Sequence, residues 1–269
     1  MSPRKLAGGK LLLDHPADAL ARLTIANPEK RNALDHEVLD ALAEALPRLD
    51  KGIKIRCVLI TGQGRAFSAG YDIGDFDSKS FAREAEALVA HPFHAAMDAL
   101  SNHPWPTVAA INGHSLGGGL ELAIRCDIRI VAAEARLGMP PGKIGLIYSH
   151  TGLDRFIETI GTPRTKELFL LGRNLTAQRA EEIGLVHEVV PGERLEKVSL
   201  ELAAEIAANA PLASKGNKYA IETLQRKAQL TPEEEDELIE LRRSCFESDD
   251  LREGIRSFAE SRTPRWTGR

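Results

Sequence analysis

The chain of 269 residues is long enough for one large domain with a sizeable core, or for a domain with an appendage. Hydrophobic residues make up 43 %, and 39 acidic against 35 basic side chains leave a net charge of −4, so no long-range attraction draws it to nucleic acid or anionic lipid. Its three cysteines, Cys57, Cys126 and Cys245, form no C-x-x-C pair and support neither a disulfide framework nor a zinc site; the pattern predicts reduced, buried thiols in a cytoplasmic protein.

The first thirteen residues hold one apolar run of three, too short for a secretion signal. No stretch approaches the ~20 apolar residues of a membrane span. Residues 10–14 and 20–26 read as short strands, the second alternating Leu23 and Ile25 with Arg22 and Thr24. Asn27-Pro28 breaks it. Residues 35–46 predict a helix with Val38, Leu39, Leu42 and Leu46 on one stripe and Asp35 at its start. Residues 55–61 read as a strand buried on both faces. A glycine-punctuated loop, 62–74, follows, and then a helical pattern over 79–102.

The theme then recurs. Residues 107–111 read as a strand, Asn112-Gly113 as a turn, 120–125 as a helix and 127–132 as another strand. Strands alternating with helices predict an α/β core with parallel pairing. Beyond Thr176 helical pattern dominates, apart from a short strand near 185–190, and Pro211 and Pro232 mark helix starts. Ser248 fits the cap of a further helix carrying Leu251, Ile255 and Phe258. The division expected is an α/β core over 1–195 and a helical region over 196–269.

Two segments combine glycine with a strand-to-helix junction. The first is Ala66-Phe67-Ser68-Ala69-Gly70-Tyr71-Asp72-Ile73, and the second runs from Asn112 through Gly117-Gly118-Gly119 to Glu121. Glycine permits positive φ and close approach to the backbone. The first N–H groups of a helix lack internal partners and sit at the positive end of its dipole. One N–H from each loop, converging on an oxygen that becomes negative, makes an oxyanion hole, in which one donor is worth about 3–4 kcal/mol. Either loop alone reads better as a tight turn with glycine for close packing. Neither nucleotide pattern, G-x-x-x-x-G-K-[ST] or G-x-G-x-x-G, is present.

The pair of loops, with Asn27-Pro28, Asn32-Ala33-Leu34, Cys126-Asp127 and residues 177–185, resembles the enoyl-CoA hydratase/isomerase family, the crotonase superfamily, over nearly the whole chain. The resemblance implies a ββα superhelix with a C-terminal helical part that assembles trimers, often paired into hexamers. It implies an acyl-CoA thioester as substrate, with coenzyme A as part of that substrate and no separate cofactor. On that basis Tyr71 and Gly118 supply the oxyanion N–H groups. Arg31, Ala33, Ala69, Asp72, Ile73 and Gly117 line the coenzyme A side, and Phe258 and Arg262 reach coenzyme A from a neighbouring subunit.

Hydratases of this family use two glutamates about 20 residues apart. Glu121 stands at the first position, but Pro141, which carries no acid or base, stands at the second. A proline there, with Tyr148 following it, resembles the methylmalonyl-CoA decarboxylase branch. Decarboxylation of a malonyl-type thioester is therefore the preferred expectation, Tyr148 orienting the departing carboxylate. Hydration or isomerisation through Glu121, and a non-catalytic acyl-CoA binder, remain alternatives. Glu121 on an apolar helical run also reads as a salt bridge to Arg125, one turn on. An ionised Glu121 would repel a substrate carboxylate and favour a one-base reaction instead. Asp72 reads as a loop-orienting Asx residue, and His114 and His150 as structural or acid–base groups. His91 and His94 lie three apart on one helix face without a third ligand, so no metal is expected.

Overall fold

The computed structural model describes residues 2–49, 54–72, 89–144, 146–225, 231–233, 236–237, 248–250, 253, 257 and 260–269. Strands β1 (Arg4–Leu6), β2 (Leu11–Asp14) and β3 (Leu20–Ile25) form an antiparallel edge. Beside β3 run β4 (Cys57–Gly62), β6 (Thr107–Ile111), β8 (Ile128–Ala132) and β11 (Glu188–Val190), all parallel, in the order β1-β2-β3-β4-β6-β8-β11. The interior strands are mostly apolar because both faces are covered, with Thr61, Thr107 and Arg129 as exceptions. Val58 and Ile60 point into the main core, while Cys57 and Leu59 point to a second apolar cluster on the opposite face.

A second sheet, in the order β10-β9-β7-β5, is built from β5 (Ala66–Ser68), β7 (His114–Leu116), β9 (Arg136–Gly138) and β10 (Leu175–Thr176). Three times in succession a strand of the large sheet turns within a few residues into a strand of the small one: β4 to β5, β6 to β7, β8 to β9. The first members of these pairs lie side by side in one sheet and the second members side by side in the other. The chain therefore winds as a spiral of ββα turns. The loops expected over 62–74 and after Ile111 thus contain strands. Segments of three residues have no readable period, and only pairing with one another makes them strands.

Helix α1 (His36–Leu49) buries Val38, Leu39, Leu42, Ala45, Leu46 and Leu49 in the main core and packs beside the helix at His94–Ser101. Asp35 caps it, its carboxylate accepting the Val38 N–H at 2.9 Å. Of the helical pattern at 79–102, the described part is a wider turn, Val89–Phe93, that leads into α2 (His94–Ser101). Helix α3 (Gly118–Arg125) is buried along most of its length. Helix α4 (His150–Leu171), broken at Gly161 where φ is +73°, was not anticipated. A short stripe of Leu153, Phe156, Ile157 and Ile160 marks its first half, but Gly161 and Pro163 then interrupt the pattern.

Helix α5 (Ala177–Glu182) leads to β11. Helix α6 (Gly192–Ala208) covers the outer face of the large sheet with Leu195, Ala203 and Ala207. Helix α7 (Pro211–Gln225) starts at the predicted proline. It is tied to the core by Lys218, whose ammonium donates to Asp127 at 2.8 Å and to the Trp105 carbonyl at 3.2 Å. Cys57 and Cys126 are buried and unpaired by disulfide, as expected; Cys245 lies outside the described residues. Among the described residues no helix is long and apolar enough to cross a membrane, and no group of acidic, histidine and cysteine side chains could hold a metal.

Candidate active site

The site grows from the junctions at the ends of β5 and β7. Segment 31–34 runs beside 69–72. The Ala69 N–H donates to the Arg31 carbonyl at 3.0 Å, Leu34 to Gly70 at 2.8 Å and Asp72 to Leu34 at 3.0 Å. Arg31, Ala33, Ala69 and Asp72 are therefore brought side by side. Ile73 and Phe258 lie outside the described residues. Asn32, wholly buried with φ of +57°, holds this corner closed. Its side-chain oxygen accepts the Asn27 N–H at 2.9 Å, and its amide donates to the carbonyls of Gln63 and Ala66 at 2.9 and 2.7 Å. Asp72 is engaged by the Lys30 ammonium at 2.7 Å, and the partner that an Asx bond would need lies outside the described residues. The missed cue was charge pairing across 42 residues.

The two glycine loops touch. Gly70 has φ of +95°, and a Cβ there would come 2.8 Å from the Leu116 carbonyl oxygen and 3.1 Å from the Gly118 nitrogen. Gly117, with φ of +53°, opens α3; its carbonyl accepts the N–H groups of Leu120 and Glu121, and its own N–H donates to the Gly138 carbonyl. Among the described residues no acceptor lies within hydrogen-bond reach of the Tyr71 or Gly118 N–H. Two donors on adjacent backbones are thus free to meet one oxygen, with the positive end of α3 behind the second.

Three residues along α3 from Gly118, hence on the same face, stands Glu121, completely buried. Both its oxygens are engaged. Arg125 Nη2 donates to Oε1 at 2.9 Å, and the Tyr148 hydroxyl donates to Oε2 at 2.7 Å. Each oxygen thus accepts one donor and keeps a further lone pair. Arg125 is itself held by the Thr151 carbonyl at 3.2 Å and Ser101 Oγ at 3.4 Å. The salt bridge weighed against a functional Glu121 therefore exists, but as a buried pair beside the loops. The Tyr71 hydroxyl donates to the Tyr148 oxygen at 3.1 Å, so Tyr71, Tyr148, Glu121 and Arg125 form one chain of hydrogen bonds. Burial, aided by the nearby Glu121 charge, pushes both phenols above their ordinary range, which keeps them as donors.

Two participants escaped the sequence reading. A Cβ at Gly152 would fall 2.5 Å from the Tyr148 ring and 2.7 Å from Glu121 Oε2, so glycine there makes room for both. Phe93 meets the Tyr71 ring edge-on at 4.6 Å. Neither carries a local signal.

A family model described as enoyl-CoA hydratase/isomerase matches residues 16–269. A probable enoyl-CoA hydratase of Bacillus subtilis is 35 % identical over 251 residues, covering 93 % of this chain and 95 % of its own. The 2,3-dehydroadipyl-CoA hydratase of Escherichia coli is 33 % identical over 248 residues, covering 92 % and 94 %. The crystal structure of an enoyl-CoA hydratase/carnithine racemase from Magnetospirillum magneticum superposes with a TM-score of 0.89 at 32 % identity, covering 97 % and 96 %.

The chain belongs to the enoyl-CoA hydratase/isomerase family.

This membership bears out the expected ββα superhelix. Within this hydratase/isomerase chain Pro141 is buried and opens a short turn, Pro141–Ile144, so its position offers the site no titratable group. His114 is structural, Nδ1 accepting the Arg136 N–H at 3.2 Å. His94 faces Thr151 Oγ1 at 3.3 Å, and His150 is exposed at the start of α4. Arg262 is exposed and engaged within its own chain, by Glu253 at 2.6 and 3.0 Å and by Glu260.

Proposed function

We propose that this protein acts on an acyl-CoA thioester and forms a thioester enolate, with Glu121 as the single acid–base group and the N–H groups of Tyr71 and Gly118 as the oxyanion hole. Enoyl isomerisation is the reaction this arrangement supports best. The observation that carries it is the double anchoring of Glu121, by Arg125 on one oxygen and Tyr148 on the other, with proline where a second carboxylate would stand.

In this reading a 3-enoyl thioester presents its C2 hydrogen to Glu121. The carboxylate takes that proton through a free lone pair of Oε2, the electrons pass to the carbonyl oxygen, and the two backbone donors stabilise the dienolate. The same carboxylate returns the proton to C4, leaving the double bond between C2 and C3. One base suffices, whereas hydration needs a second group. Tyr148, a hindered and weakly acidic phenol, holds Oε2 in place. Because Glu121 is fully buried beneath the tyrosine rings, entry of substrate requires one of them to yield.

Decarboxylation of a malonyl-type thioester is the second reading, favoured by Tyr148 at the site and by Pro141. The Arg125–Glu121 pair weighs against it, because a substrate carboxylate at the Tyr148 hydroxyl would face a carboxylate 2.7 Å from that oxygen.

The test offers vinylacetyl-CoA, crotonyl-CoA and methylmalonyl-CoA separately and identifies products by mass spectrometry. Formation of crotonyl-CoA from vinylacetyl-CoA, abolished in Glu121→Gln, is the expected result. Propionyl-CoA from methylmalonyl-CoA would favour the second reading. Fast 3-hydroxybutyryl-CoA formation without isomerisation would mean that hydration proceeds with one glutamate.

We also propose that the region from 196 to 269 carries assembly into trimers or hexamers. Its support is the exposure of Ile221 and Leu224 on α7, an apolar pair that a second copy would cover. Light scattering after gel filtration tests it, a monomer being the contrary result.

A further inference from the structure

We propose that the side chain of Tyr71 sets the upper size of the acyl group and restricts the site to short chains. The inference rests on the acyl thioester reading above. With the carbonyl oxygen at the Gly118 N–H, the acyl carbons must lie along the face of α3 that runs from Gly118 to Glu121, or Glu121 cannot reach them. The Tyr71 ring stands over that face. A Cβ on Gly118 would fall 2.3 Å from the Tyr71 ring, so the absence of a side chain at 118 is what admits the ring.

The ring is held by three contacts from two residues. Phe93, fully buried, meets it edge-on with centroids 4.6 Å apart, the Tyr148 ring lies parallel to it at 6.4 Å, and its hydroxyl donates to Tyr148. Phe93 blocks retreat in one direction and Tyr148 in another. A short acyl group needs only a modest displacement of the ring, whereas a long one must expel it and break all three contacts. Tyr71 thus plays two separable parts, its backbone N–H facing the oxyanion and its ring closing the acyl site. Substitution removes the ring and keeps the donor.

The experiment measures binding of butyryl-CoA and decanoyl-CoA, saturated and therefore unreactive, to the full chain by titration calorimetry. Each methylene that finds an apolar wall raises affinity about fourfold. The wild-type protein is expected to bind butyryl-CoA at least as tightly as decanoyl-CoA. Tyr71→Ala should reverse the order by about tenfold or more, Tyr71→Leu in the same direction by less, and Tyr71→Phe should keep the wild-type order. Tyr71→Leu, which retains apolar contact with Phe93, decides the matter should the alanine variant fail to fold. A wild-type preference for decanoyl-CoA, or an unchanged ratio in the shortened variants, would overturn the role of Tyr71 alone. Failure of the folded wild type to bind either thioester would overturn the acyl-CoA reading and this inference with it.

Discussion

Arg125 and Glu121, one helical turn apart, meet at 2.9 Å with the Glu121 side chain fully buried and the Arg125 side chain 13 % exposed. An exposed pair at this spacing contributes only about 0.3–0.5 kcal/mol. Here removal of the cation strands a buried carboxylate. Arg125→Met is expected to lower stability by about 3–5 kcal/mol and to depress turnover. Adding Glu121→Gln to it should recover part of the stability but none of the activity. Urea denaturation of the two single variants and the double variant measures this; additive losses would contradict it.

Loss of the base itself has a different signature. Glu121→Gln keeps a hydrogen-bonding group of the same shape but cannot take a proton. A fall in kcat of about 10²–10⁴, with binding of a saturated acyl-CoA little changed, is expected. Steady-state kinetics beside calorimetry distinguish this from a binding defect, which would raise KM and leave kcat.

Gly152 sits in the first turn of α4, where alanine would ordinarily stabilise the helix by about 0.5–1 kcal/mol. Its neighbours reverse that expectation. A methyl group would press on the Tyr148 ring and on Glu121 together. Gly152→Ala should reduce kcat sharply while the far-ultraviolet circular dichroism stays native. Full activity in this variant would show that the Tyr148–Glu121 contact has no part in turnover.

Burial raises the folded-state pKa of Tyr71 and Tyr148 above the unfolded value of about 10. An acid whose folded pKa is raised contributes stability that is fully present below the unfolded pKa and is lost as pH climbs from there through the folded value. Stability should therefore decline above pH ~10, less steeply in Tyr148→Phe. Urea midpoints collected at pH 9 and 10.5 test this, and identical slopes for the two proteins would contradict it.

Asn32 makes three side-chain hydrogen bonds from a left-handed conformation. Asn32→Ala forfeits them and puts alanine in a left-handed conformation, at a cost of about 2–4 kcal/mol. Because the clamp joins segment 27–34 to 63–66, acyl-CoA affinity should fall as well. Thermal unfolding and calorimetry measure the two effects.

Much of this molecule is written locally. Residues 107–111 carry their strand in a threonine followed by an apolar run, and β6 has those bounds. The stripe of Val38, Leu39, Leu42 and Leu46 fixed α1, because a 3.6-residue period shows within three turns. Glycines at 70 and 117 announced positive φ at two junctions, and both adopt it, since any other residue there would be strained. What depended on partners distant in sequence could not be read. The strands of the small sheet exist only by pairing with each other. The same two residues, Glu121 and Arg125, would make a surface salt bridge or a buried ion pair, and burial by Tyr148 from 27 residues away decided which. The sequence by itself determined the α1 stripe, the buried strands and the glycine junctions, because periodicity and glycine act over a few residues, and the resemblance of its motifs pointed to the family. Only the tertiary structure decided that Tyr71 lies over Gly118 and that Gly152 makes room for Tyr148, because steric exclusion acts between whichever atoms the fold brings together.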